Sequence, residues 1–170
     1  MFKYLETLGY DLGNSMYASA LDLKDNEKYA EYMLHEFYEY FNDFDKASNV
    51  IQEMYDLVWS LDFYKDSGKQ YIQLSADQIS FNLDNSKLTD EDYNQLNISQ
   101  QVYLDDACLE FQQKTGVEVY LLGRSGRHVC VDNTFENAIR YEELCDIQSK
   151  MQDKYIEDIE ELAKKLAKGK

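Results

Sequence analysis

Apolar side chains recur along most of this chain at the three- and four-residue steps of a helix, and in two places they alternate instead. Phe2, Leu5 and Leu8, then Met16, Ala20 and Leu23, with Gly9 and Gly13 between them, predict two short helices over Met1–Leu23. Tyr29, Met33, Phe37, Tyr40, Phe41 and Phe44 predict a helix from Asn26 to about Ala47, capped by Asp25 or Asn26. Ser48 then precedes Val50, Ile51, Met54, Tyr55, Val58, Trp59 and Leu61, a second amphipathic helix able to fold back on the first. Asp66-Ser67-Gly68 breaks the helical period, and Ile72, Leu74, Ile79, Phe81 and Leu83 follow with a period of two, predicting two short strands between Tyr71 and Leu83.

Thr89 before Asp90, Glu91 and Asp92 is a helix start, and the helix it opens runs to Gly116, a residue suited to the left-handed position at a C-terminus. Val117–Leu122 and His128–Asp132 flank a glycine-rich turn and predict a hairpin. Thr134 opens a long final helix carrying Phe135, Ile139, Leu144, Ile147, Met151, Tyr155, Ile159, Leu162 and Leu166. Together these elements predict an α+β fold that is mainly helical, with a small antiparallel sheet from residues near 71–83 and 117–132 and a long C-terminal helix. At 170 residues the expectation is one domain, residues 1–170, with the helix over 134–168 projecting or pairing with a second copy as a homodimer.

Charge changes the picture from fold to partner. Thirty-three Asp and Glu oppose 17 Lys and Arg, for a formal net charge of −16, which disfavours direct binding to nucleic acid or to an anionic membrane. The excess is segregated: residues 1–113 hold seven Lys and no Arg against 22 acids, whereas residues 114–170 are almost balanced. On the 26–47 helix, Glu27, Glu31, Glu39 and Asp43 follow a four-residue step interrupted by His35, placing carboxylates about 6 Å apart along one stripe. Further acids lie at Asp56, Asp62 and Asp66, then at Asp90, Glu91, Asp92, Asp105, Asp106 and Glu110. Such an array either is a solvated surface or copies the phosphate row of a nucleic acid and occupies the basic groove of a nucleic-acid-binding protein. Tyr32, Tyr38, Tyr55, Tyr64, Tyr93 and Tyr103, interleaved with the acids, would add contact area of the kind that anchors interfaces.

The chemistry of single sites adds less. Two of the three arginines sit in Gly123-Arg124-Ser125-Gly126-Arg127-His128, where Arg124 and Arg127 either clamp a phosphate beside a titratable His128 or bridge to this protein's own acids. His128, Cys130 and Asp132 alternate along a strand, but neighbours two apart are about 7 Å from one another, too far to activate a nucleophile. Cys108, Cys130 and Cys145 are odd in number and lack the paired spacing of a zinc knuckle, so reduced thiols are expected. No nucleotide-binding, calcium-loop or hydrolase signature is present, and the expectation is a non-enzyme without cofactor. Mean hydropathy is −0.62 and no basic segment followed by an apolar core opens the chain, so a cytoplasmic protein is expected.

In general character, being short, acidic, proline-poor and without catalytic signatures, the chain resembles phage-encoded anti-CRISPR and anti-restriction inhibitors. The resemblance implies a protein that binds a CRISPR or restriction nuclease and blocks its access to nucleic acid. Two other classes stand beside it: a homo-oligomeric scaffold built on the C-terminal helix, and a small phosphate-handling enzyme using the 123–128 hairpin.

Overall fold

A computed structural model describes residues 10–25, 29–75, 87–124 and 128–168. Six helices and four strands follow in the order α1 Tyr10–Asp25, α2 Tyr29–Phe41, α3 Phe44–Ser60, β1 Phe63–Asp66, β2 Lys69–Gln73, α4 Asp90–Thr115, β3 Val119–Leu122, β4 His128–Asp132, α5 Phe135–Ile139 and α6 Tyr141–Lys168 among the described residues. The fold is therefore α+β and mainly helical, with a small antiparallel sheet and a long C-terminal helix. The chain separates into two compact units: a helical unit of residues 1–63 and 133–140, and a sheet unit of residues 64–132 and 141–170.

In the helical unit, α1 and α2 each pack on α3, and α5 closes against α1 and α3. Its core is built from Met16, Ala20, Met33, Val50, Met54 and Val58, each no more than 2% exposed. The second of the two helices predicted over Met1–Leu23 is α1, which begins at Tyr10 and so takes in Gly13, expected between the helices. A Cβ at Gly13 would stand 2.7 Å from Cε1 of Phe135, so the glycine admits the aromatic ring of α5. The predicted stretch Phe2–Leu8 lies outside the described residues.

The helix expected to run unbroken to Ala47 stops at Phe41. Asn42 takes a left-handed φ of 52°, a conformation that Asn tolerates better than most residues, and Asp43 is extended with its side chain turned to the next helix. Asp43 Oδ1 accepts the backbone N–H groups of Asp45 and Lys46 at 3.0 and 3.1 Å, so Asp43 is the N-cap of α3, which starts ahead of Ser48. Phe44, expected on the apolar stripe of the preceding helix, consequently opens α3 with 56% of its surface exposed.

The sheet has the order β1-β2-β4-β3. Asp66-Ser67-Gly68, read as a break before the first strand, instead turns β1 into β2: Ser67 and Gly68 have φ of 52° and 81°, the primed-turn geometry that matches strand twist. The β1 strand was not anticipated, and the strand predicted over Ile79–Leu83 lies outside the described residues. The hairpin of β3 and β4 forms in the register Val119↔Val131 to Leu122↔His128, and β2 pairs with the other side of β4 from Tyr71↔Asp132 to Gln73↔Cys130. Val129, Cys130 and Val131 on this central strand are all buried, which means that both of its faces are covered.

The α4 helix begins with a reciprocal cap. Asp92 N–H donates to Thr89 Oγ1 at 3.2 Å and Thr89 N–H donates to Asp92 Oδ2 at 2.8 Å. It ends at Gly116, whose φ of 69° is the left-handed value expected there. The final helix does not run on from Thr134. Thr134 caps only the five residues of α5, Arg140 leaves helical geometry, and α6 begins at Tyr141 in the sheet unit. Leu144, Tyr155, Ile159 and Ala163 of α6 are buried, and α6 packs along α4. Leu144, Tyr155 and Ile159 of the stripe expected to pair with a second copy are thus covered within the chain, whereas Ile147, Met151, Leu162 and Leu166 are half-buried.

Candidate functional site

The described acids fall into two groups, one in each unit. On α2, Met33 and Phe37 face the core, which turns Glu31, Tyr32, His35, Glu36, Tyr38 and Glu39 outward. All six are exposed, and the thirteen residues of α2 include no Lys or Arg. Glu31 to Glu39 span a rise of about 12 Å. Tyr32 Oη donates to Glu36 Oε1 at 2.8 Å, and His35 Nε2 stands 3.3 Å from Glu39 Oε1. Tyr32 and Tyr38, 57% and 43% exposed, flank the carboxylates, so aromatic area and negative charge share one helix face.

Of the four carboxylates predicted for this stripe, Glu31 and Glu39 lie on it. Glu27 falls outside the described residues, and Asp43 is exposed but committed to capping α3. Glu36 was missed. Its five-residue offset from Glu31 leaves the four-residue row, yet 500° of helical rotation returns it to the outer half of α2. Asp56 is exposed on α3 and accepts from Gln52 Nε2 at 2.8 Å, and Asp62 is exposed beyond the helix end. One cation in this unit is held by aromatic rings: Lys24 Nζ lies 5.0 Å from the ring centre of Trp59 and 4.7 Å from that of Phe63.

In the sheet unit, Asp90, Glu91, Asp105 and Asp106 are exposed on α4, and Asp105 Oδ1 accepts from Gln101 at 2.9 Å. Asp92 does not join them. It is 6% exposed and engaged with Thr89, so it secures the helix start and presents no charge to a partner. Glu110 is paired with Lys114 at 3.2 Å and with Lys154 of α6 at 3.5 Å. Those two ammonium groups, Lys114 first, hold its carboxyl below the usual carboxylate range. Asp66 is half-buried in β1. Among the interleaved tyrosines, Tyr93 is exposed whereas Tyr55, Tyr64 and Tyr103 are half-buried.

The hairpin tip is more constrained than its sequence suggests. His128 stacks on Tyr64 with ring centres 4.0 Å apart and planes at 19°, and its Nδ1 lies 3.2 Å from Gln73 Oε1. Gly123 sits beneath this stack at φ 87°, where a Cβ would approach His128 Cδ2 to 2.9 Å. Arg124 is exposed beside it, while Arg127 lies outside the described residues. Cys130 is fully buried and its thiol is pushed up to about 11, by burial above all and by Asp66 second. Such a thiol is protonated at neutral pH and makes a poor nucleophile.

No protein family, curated protein or solved structure matches the chain. Among the described residues no three His, Cys, Asp or Glu side chains are grouped to hold a metal ion, and no helix is long and apolar enough to cross a membrane. The structure presents a pair of carboxylate-rich helix faces, of which the α2 face joins exposed acids to exposed tyrosines without a lysine or arginine between them.

Proposed function

We propose that this protein is a binding inhibitor that occupies the nucleic-acid-binding surface of a basic protein, a bacterial defence nuclease of the CRISPR or restriction type. The observation that carries the reading is the outer face of α2, where Glu31, Glu36 and Glu39 stand exposed on a helix devoid of Lys and Arg. Uncovered like charges at helical spacing cost an isolated helix about 0.2–0.5 kcal/mol per pair. A cationic surface laid over them removes that cost and gains the attraction that nucleic-acid phosphates would otherwise supply. Tyr32 and Tyr38 contribute the rigid, partly apolar contact that converts a charge encounter into a bound complex.

Competition with nucleic acid tests the reading. A panel of CRISPR and restriction nucleases is titrated with the protein, and cleavage and DNA binding are followed at increasing salt. The expected result is inhibition of a nuclease that weakens steeply with salt and disappears in Glu31→Lys/Glu36→Lys/Glu39→Lys. Asp43 is left unchanged because its loss would remove the α3 cap along with the charge. Inhibition that the triple reversal leaves intact, or no inhibition across the panel, refutes it.

A further inference from the structure

The α4 helix is apolar on two opposite sides. Leu96 and Phe111, 2% and 1% exposed, face inward. Ile98, Val102 and Leu109 are 69%, 51% and 53% exposed, and at 100° per residue they fall within about 40° of one another around the helix. Single exposed aliphatic residues need no explanation, but three aligned over about 16 Å of one helix form a stripe. The residues around it are acidic or amide-bearing: Glu91, Gln101, Asp105 and Asp106 border it, and from Asp90 to Gln113 there is no Lys or Arg.

We infer that this stripe is a docking surface for an amphipathic basic helix of a partner protein, one presenting three turns of aliphatic side chains between rows of Lys or Arg. The aliphatic positions match the i, i+4, i+11 rows by which helices meet. Charge chooses the occupant. A second copy of α4 would bring Asp105, which lies between Val102 and Leu109 on the same face, against its own counterpart and the copy's other acids, whereas a basic helix satisfies each of them. The margin of the stripe strengthens the choice. Asp106 also lines a cleft of about 210 Å³ between α4 and α6 with Tyr103, Glu110, Lys154, Tyr155 and Asp158, where Glu110 is paired with Lys154 and Lys114 and the surplus negative charge comes from Asp106 and Asp158. Two aromatic rings and surplus negative charge suit the guanidinium or ammonium end of a partner's Arg or Lys. This surface belongs to the sheet unit alone and does not depend on the α2 reading.

The test uses the whole protein and a labelled 18-residue helical peptide with Leu at positions 4, 8, 11 and 15 and Lys on both flanks, followed by fluorescence anisotropy. Control peptides replace every Leu by Gln, or every Lys by Glu. The expected result is binding of the first peptide only, weakened at least tenfold in Ile98→Gln/Val102→Gln/Leu109→Gln and in Asp105→Lys, and unchanged in Glu31→Lys/Glu36→Lys/Glu39→Lys. Asp105→Lys keeps every aliphatic group, so loss there cannot be assigned to a collapsed helix, and circular dichroism checks both variants. Equal binding of the Gln-for-Leu peptide, or of the triple Gln variant, overturns the inference. Self-association of the wild type that the triple Gln variant abolishes also overturns it, because the stripe would then belong to a second copy.

Discussion

Replacing Gly13 by Ala tests the close packing of α1 against α5. In an ordinary helix interior the change stabilises by about 1 kcal/mol, since Ala loses less backbone freedom on folding. Here the new Cβ would lie 2.7, 3.1 and 3.3 Å from Cε1, Cδ1 and Cζ of Phe135. The ring must retreat by several tenths of an ångström, yet it is 7% exposed and lies beside Tyr17 with ring centres 6.3 Å apart. Overpacking of this kind costs about 1–3 kcal/mol, so the sign should reverse to a net loss of about 1 kcal/mol. For a protein this size that is a fall in Tm of about 2–4 °C. Calorimetry and urea unfolding of Gly13→Ala, Phe135→Leu and the double variant form the assay. The double variant should recover the helix-propensity gain, giving a coupling of about 0.5–3 kcal/mol. A rise in Tm for Gly13→Ala alone would refute the argument.

Three further outcomes follow from local geometry. Thr89→Ala should cost about 1 kcal/mol, and Asp92→Ala added to it should cost less than it does alone, because the two side chains serve one reciprocal cap; urea midpoints of the three variants decide it. Ser67→Asn should stabilise by up to about 1 kcal/mol, since Ser67 holds a φ of 52° that Asn adopts more readily, and an unchanged or lower Tm would contradict the turn assignment. Burial raises the thiols of Cys108 and Cys130 from 9.0 to about 11, so the folded form resists their ionisation and the unfolded form does not. Their stabilising effect is complete below pH 9 and is lost as the pH rises towards 11, so Tm should fall over that window and fall less in Cys108→Ala/Cys130→Ala.

Periodicity carried the fold wherever one face of an element meets the core. Met33, Phe37, Val50, Met54 and Val58 lie inward as their spacing requires, and the Thr89 and Gly116 ends of α4 fall where capping chemistry puts them. Sequence and structure part where an apolar stripe runs on across a break between two helices. Phe41 and Phe44 keep helical spacing, yet Asn42 and Asp43 between them carry the residue types of a helix stop and a cap. Ile139 and Leu144 are five residues apart, a step that rotates the stripe away from its face, and the chain passes there from the helical unit to the sheet unit.

The candidate surface was legible as charge and less so as geometry. Counting acids cannot separate Glu39, which is exposed, from Asp92, which closes a capping box, although both stand near helix ends. Ile98, Val102 and Leu109 share a helical face in the sequence, but helical spacing fixes a face without saying which way it points, and in the structure it points outward. Only the inward placement of Leu96 and Phe111 assigns the two sides of α4.

On the proposed reading, exposed carboxylates on α2 compete with nucleic acid for a basic protein surface. The most direct measurement is displacement of labelled DNA from a nuclease that the protein inhibits, comparing wild type with Glu31→Lys/Glu36→Lys/Glu39→Lys at low and high salt. Wild type should displace the DNA at low salt, displacement should fade as salt is raised, and the reversed variant, still helical by circular dichroism, should displace none. Inhibition that proceeds with the DNA still bound, or displacement equal in both proteins, would contradict it.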